Sequence, residues 1–272
     1  CVWFWHGLSR LLAKCAGDLC CKGNVAMTPL AIIGGTGLTL LEGLDIHEKR
    51  AVITPYGKPS SELLFGDFHG QAVIFLPRHG EGHTVPPHRI NYRANLSALH
   101  QVGVEKIIAI AAVGGIRGDL PPGCLAVADQ IIDYTYGREQ SFYSDDFSPD
   151  KHLDFSYPYD EPLRQALLQA GKRLNIAIVD GGTYGATQGP RLETAAEIKR
   201  MAQDGCAMVG MTGMPEAYLA RELNMQYATC ALIVNWAAGL SADIITMAQI
   251  EQTLAGGMVQ VKQLLADVIQ SQ

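Results

Sequence analysis

Residues 187–197 read TQGPRLETAAE, a Gly-Pro pair followed by an acid and a threonine. Glu193-Thr194 in it sits at the start of a helical pattern. The same plan recurs along the chain. Residues 209–216, VGMTGMPE, and residues 232–236, LIVNW, each bring polar groups to the end of an apolar strand. Residues 30–37, LAIIGGTG, add a glycine-rich strand end, and residues 75–80, FLPRHG, add an Arg-His pair.

Between these points the pattern alternates. Apolar runs too short for helices fall at residues 30–33, 72–76, 106–112, 125–132, 176–179, 208–211 and 227–234. Helical spacing falls at residues 89–102, 161–174, 194–203, 215–223 and 246–269. Strands alternating with helices predict an α/β sheet flanked by helices. At 272 residues, 48% of them hydrophobic, the chain can bury one large core as a single domain. The polar, aromatic stretch 133–160 is too long for a plain connection, which points to a functional or interfacial role.

The net charge of −6 and the absence of any Lys/Arg run argue against a nucleic-acid groove. An acidic chain that binds an anion must use a few local donors. Cys124, Cys206 and Cys230 sit in apolar settings without metal-type spacing, as reduced core cysteines do. Residues 1–26 differ from the rest: they hold two of the three tryptophans and four of the seven cysteines. Arg10 and Lys14 break their apolar run, so neither a spanning helix nor a signal segment is expected there. The expectation is an extension outside the fold, with the folded domain at residues 27–272; the alternative is a short amphipathic helix lying on a membrane.

Each polar group has two readings. Glycines at a strand end let backbone N–H groups approach an anion, with Thr36 adding a hydroxyl; the alternative is a tight turn. Gly43 is too far on for a dinucleotide fingerprint. Arg78 and His79, with His83 nearby, make a phosphate clamp in which His79 donates from a ring nitrogen; alternatively Arg78 pairs with a carboxylate. His79, His83 and His88 lack the helix of a zinc motif, so no metal is expected. Glu193 reads as a base ligand or as a carboxylate favoured by a helix start, Thr212 as an anion ligand or a helix N-cap. Glu216 stabilises its helix start. Asn235 both donates and accepts, or is a turn residue.

The five segments in this order resemble the trimeric purine nucleoside phosphorylase and methylthioadenosine phosphorylase family, from about residue 29 to the C-terminus. The resemblance implies a single domain with a central mixed, partly barrel-like β-sheet flanked by helices. It implies phosphate held by Thr36, Arg78, His79, Thr212 and the backbone of Ala111 and Ala112. Glu193 falls on the family glutamate that takes the N1–H edge of a 6-oxopurine, and Leu192 on the aromatic residue that packs on the base. Met211 falls on the methionine under the ribose. Asn235 stands where adenine-specific members carry aspartate, and Ala237 where they carry a second one; Trp236 lies between them, and His83 completes the substrate set.

Met247 and Ile250 align with apolar residues that cover a 5′-methylthio group. His152 resembles a histidine that reaches the neighbouring subunit's site. Asn235 and Glu193 are the implied catalytic residues, acting on the base. The implied reaction is phosphorolysis of S-methyl-5′-thioinosine, with phosphate as co-substrate, no metal or organic cofactor, a homotrimer, and a cytoplasmic setting. Inosine, guanosine and methylthioadenosine are the alternative substrates, and a non-catalytic nucleotide-binding module is the alternative of a different kind.

Overall fold

The computed structural model describes residues 30–242 and 244–271; the extension expected at residues 1–26 lies outside the described residues. Eleven strands form one mixed sheet. β1 (Leu30–Gly34) lies between β4 (Gln71–Pro77) and β5 (Lys106–Gly115), parallel to both. β11 (Gln226–Trp236) runs parallel to β5 along its whole length. These four read as near-continuous apolar runs because both of their faces are covered. β2 (Leu44–Arg50) and β3 (Leu63–Phe68) extend the sheet beyond β4 as antiparallel strands.

The sheet branches at β5. Its first half pairs with β1, while Gly114 and Gly115 pair antiparallel with β10 (Cys206–Gly210). β10 then leads to β9 (Thr183–Ala186) and β7 (Gln130–Asp133). On the other branch β11 carries β6 (Leu125–Val127), which carries β8 (Ile178–Asp180). The mixed sheet expected from the sequence is present, but β2, β7 and β8 each keep one open edge, so it does not close into a barrel. The run at 125–132, expected as one strand, is two. The Asp129 carboxylate accepts from the Gly182 N–H at 2.7 Å, and Gly181 N–H bonds Val127 O, which turns the chain from one branch to the other.

Side chains alternate across the strands, so the core has two sides. Ala31 and Ile33 of β1 face a cluster with α1 (Tyr92–Gln101) and α4 (Gly213–Glu222). Leu30 and Ile32 face a cluster with α2 (Glu161–Leu174) and α5 (Met247–Gln270). α3 (Ala195–Gln203) adds Ile198 and Met201 to a third, smaller cluster. Helix ends follow their residues: Asp160 caps α2, Thr194 forms a capping box with Glu197, and Thr246 forms one with Gln249. α5 approaches β11 closely at Gly257, where a Cβ would stand 2.4 Å from a Leu232 methyl. No helix among the described residues is long and apolar enough to cross a membrane.

Candidate active site

β1, β4, β5 and β11 are parallel, so their carboxyl ends open on one edge, the usual place for a ligand in such sheets. A cavity of about 260 Å³ lies there, at the branch of β5. Thr36 after β1, Arg78 and His79 after β4, Ala111 and Ala112 on β5, and Thr212 after β10 line it. Met211, Leu192, Glu193, Asn235 and Ala237 line the same cavity, as do His83, Met247 and Ile250. Fourteen positions chosen from the sequence thus meet in one cleft.

The local chain explains each placement. Gly35 has no Cβ because one would stand 2.5 Å from Ile110 O and 3.0 Å from the Arg78 guanidinium, so the backbone lies directly on that group. Thr212 is the residue before α4 but makes no side-chain cap bond, so the N-cap alternative fails there. Thr194, not Glu193, caps α3. The Glu193 carboxylate instead accepts from the Thr187 hydroxyl at 2.6 Å and faces the cavity. Asn235 sits where β11 slips register against β5, and its Nδ2 donates to Trp236 O at 2.7 Å, which fixes the amide plane.

Arg78 both lines the cavity and pairs with a carboxylate. Its Nε and Nη2 donate to Glu216 at 2.6 and 2.7 Å, and Nη1 donates to Ile110 O at 3.1 Å. Arg78 is 1% exposed and Glu216 0%. Burial lowers the guanidinium pKa, but the charge and hydrogen bonds of Glu216 more than offset it, and the net shift is upward. Tyr227 also donates to Glu216 at 2.8 Å. Glu216 therefore serves as the buried counter-charge of Arg78, a role its position near the start of α4 does not reveal.

His79 is corrected in kind. Its Nδ1 lies 2.8 Å from Val85 O, an acceptor, so Nδ1 carries the proton. Burial first, then the Arg78 charge, pushes its pKa down to about 4. The ring is neutral near pH 7 and Nε2 is left as an acceptor, not the donor expected from the sequence. The His83 ring lies 4.3 Å from it, tilted by 32°, with its own pKa lowered by burial.

Two expected positions are not in the cleft. Trp236 follows Asn235 on the same strand, so alternation turns its side chain to the opposite face; it contributes only its carbonyl. His152 lies exposed beside the Phe147 ring at 5.1 Å, outside its own chain's cavity. Sequence reading did not disclose the roles of Glu216, Thr187 and Arg138, each buried or half-buried around the cleft: Glu216 and Arg138 are bonded to groups far along the chain, and Thr187 to Glu193 six positions on. It also missed Ile245, which joins Met247 and Ile250 in an apolar wall.

Comparison with known proteins agrees with this geometry. The phosphorylase superfamily pattern matches residues 29–270. A protein of Pseudomonas syringae pv. tomato, named a probable S-methyl-5′-thioinosine phosphorylase, is 55% identical over 89% of this chain and 99% of its own. The 6-oxopurine nucleoside phosphorylase of Pyrococcus furiosus is 43% identical over 84% of this chain and 87% of its own. The structure of methylthioadenosine phosphorylase from Schistosoma mansoni in complex with adenine superimposes with a TM-score of 0.85 at 32% identity, covering 90% of this chain and 91% of that one. On its fold, its site and its relatives, the chain belongs to the phosphorylase superfamily.

Proposed function

We propose that the chain catalyses phosphorolysis of S-methyl-5′-thioinosine, giving hypoxanthine and 5-methylthioribose 1-phosphate. One observation carries this reading. A single cleft joins Glu193 and Asn235, which suit the edge of a 6-oxopurine, to a wall of Ile245, Met247 and Ile250, which suits a methylthio group.

Hydrogenphosphate lies among Thr36, Arg78, His79 and Thr212, with its P–OH directed to His79 Nε2. As the C1′–N9 bond stretches, the sugar takes on oxocarbenium character and the purine gains negative charge. Asn235 stabilises that charge at O6 and N7, and Glu193 holds the base through N1–H. A phosphate oxygen then bonds to C1′. The proton that hydrogenphosphate gives up balances the one that the departing purine takes. A donor placed where charge develops is worth about 3–4 kcal/mol. No metal or organic cofactor enters the scheme.

The same reading places the chain in a homotrimer, with His152 and the exposed rings of Phe147 and Tyr157 facing a neighbouring copy. It places the protein in the cytoplasm, in keeping with the unpaired thiols of Cys124, Cys206 and Cys230. The test is base release from methylthioinosine, methylthioadenosine, inosine and guanosine, with and without phosphate. Methylthioinosine is expected to give the highest kcat/KM and to need phosphate. Faster cleavage of methylthioadenosine would overturn the base assignment, and equal rates with inosine would overturn the apolar wall.

A further inference from the structure

Arg138 lies in the long loop after β7, outside the cleft, and grips both arms of the site at once. Its Nη2 donates to Thr187 O at 3.1 Å and Gln188 O at 2.8 Å. Its Nη1 donates to Met211 O at 2.9 Å, Met214 O at 2.5 Å and the Tyr92 hydroxyl at 3.2 Å. Its Nε donates to the Gln188 side chain at 3.1 Å. None of these acceptors is a carboxylate. The guanidinium is therefore used as a rigid planar fork, with backbone carbonyls from two separate chain segments as its targets.

The two segments have different tasks. Thr187 holds the Glu193 carboxylate by its hydroxyl, so the first segment sets the base-reading group. Met211 and Thr212 line the ribose and phosphate end, so the second segment sets the nucleophile. At the end of the β9–β10 pairing the Thr187 N–H donates to Gly210 O at 2.8 Å, the Thr187 hydroxyl lies 3.3 Å from the same carbonyl, and Gly189 lies against the Met211 side chain. Beyond it both chains leave the sheet, and Arg138 takes over the connection.

We propose that Arg138 is a positioning residue that fixes the base-reading arm and the phosphate arm relative to each other. The inference rests on the function proposed above. Reaction requires the attacking oxygen and the departing base to lie on opposite sides of C1′, and a misplacement of about 1 Å costs about 100-fold in rate. A lysine offers donors from one point and cannot span both segments.

The experiment measures kcat, both KM values and phosphate affinity by titration calorimetry for the wild type, Arg138→Gly, Arg138→Lys and Thr187→Val. Arg138→Gly is expected to raise the KM of nucleoside and of phosphate together, to weaken phosphate binding about tenfold, and to lower kcat about 100-fold. Millimolar guanidinium should restore part of that loss. Thr187→Val should raise the nucleoside KM more than the phosphate KM, since it frees Glu193 and gives up only a long contact of the Thr187 hydroxyl to Gly210 O at 3.3 Å. A folded Arg138→Gly with kcat/KM within threefold of wild type, or one whose loss of activity leaves both KM values and phosphate affinity unchanged, overturns the proposal. Should Arg138→Gly not fold, Arg138→Lys decides: the joint rise in both KM values supports the role, and unchanged values refute it. Wild-type protein that releases no base refutes the functional reading instead, and the change in phosphate affinity still decides the part played by Arg138.

Discussion

On the function proposed, Asn235 is the side chain expected to set the choice of base. One N–H of its amide is committed to Trp236 O, so the plane cannot turn freely, and the remaining donor and acceptor face the cleft. Asn235→Asp removes the donor that O6 needs and adds an acceptor for an exocyclic amine. The ratio of methylthioadenosine to methylthioinosine kcat/KM should rise about tenfold or more, equivalent to about 1.4 kcal/mol. Both activities falling in proportion would show that Asn235 does not read the base. Glu216→Gln tests the buried pair. It keeps the shape but leaves Arg78 without its counter-charge in a site only 1% exposed. A loss of about 3–5 kcal/mol is expected, with Tm lower by about 10 °C and a higher phosphate KM. An unchanged melting curve would mean that the pair is not needed.

At this scale the sequence disclosed the groups that end apolar strands, because polarity at such a place stands out: Thr36, Arg78, Glu193, Thr212 and Asn235. It could not disclose partners. Glu216 lies 138 positions from Arg78, and nothing in the local spacing joins them. Arg138 was silent because its partners are mostly carbonyls, which every residue has. His79 was assigned the wrong sign of hydrogen bond because the Val85 carbonyl that fixes its tautomer comes from the loop beyond it.

Among elements, the five α-helices were legible from their spacing, and α2 matches the expected range. β2, β3 and β9 were not. β2 reads LDIHEKR and is largely exposed, so it carries no apolar alternation; β9 is only TYGA. Such strands are set by their neighbours rather than by their own residues. The last helix gives a paired test. Gly256 is exposed and a Cβ there meets nothing within 4 Å, whereas one at Gly257 meets Leu232 at 2.4 Å. Gly256→Ala should stabilise by about 0.5–1 kcal/mol through helix propensity. Gly257→Ala gains the same propensity but must push α5 away from β11, and a net loss of about 1–3 kcal/mol is expected. Thermal melts of the two variants settle it; shifts of the same sign would mean that the helix does not pack as closely as described.

For the whole molecule, His79 links folding to pH. Its pKa is about 4 when folded, below the ordinary value of 6.5. Between those values the unfolded chain binds the extra proton, so the stability is complete above about pH 6.5 and falls as pH drops toward 4. The loss is up to about 3 kcal/mol, to which His83 adds in the same direction. His79→Gln should flatten that part of the stability curve in urea titrations at pH 4.5 and 7. A slope identical to wild type would show that other groups set it.

The chain carries a net charge of −6, and Arg78, the one guanidinium among the described residues that lines the cleft, is already balanced by Glu216. Attraction by charge is therefore a poor guide to which anion enters. With Nδ1–H given to Val85, the His79 ring offers the anion a lone pair, and only an anion bearing a hydrogen can meet it. Sulfate is the same size and shape as phosphate yet carries no hydrogen near pH 7, so lone pair faces lone pair. On the function proposed, the cleft is expected to sort tetrahedral oxyanions by whether they are still acids. Arsenate, which keeps a hydrogen at that pH, should replace phosphate and release base without a stable sugar ester, while sulfate should bind at least about tenfold more weakly, a contrast that narrows in His79→Gln.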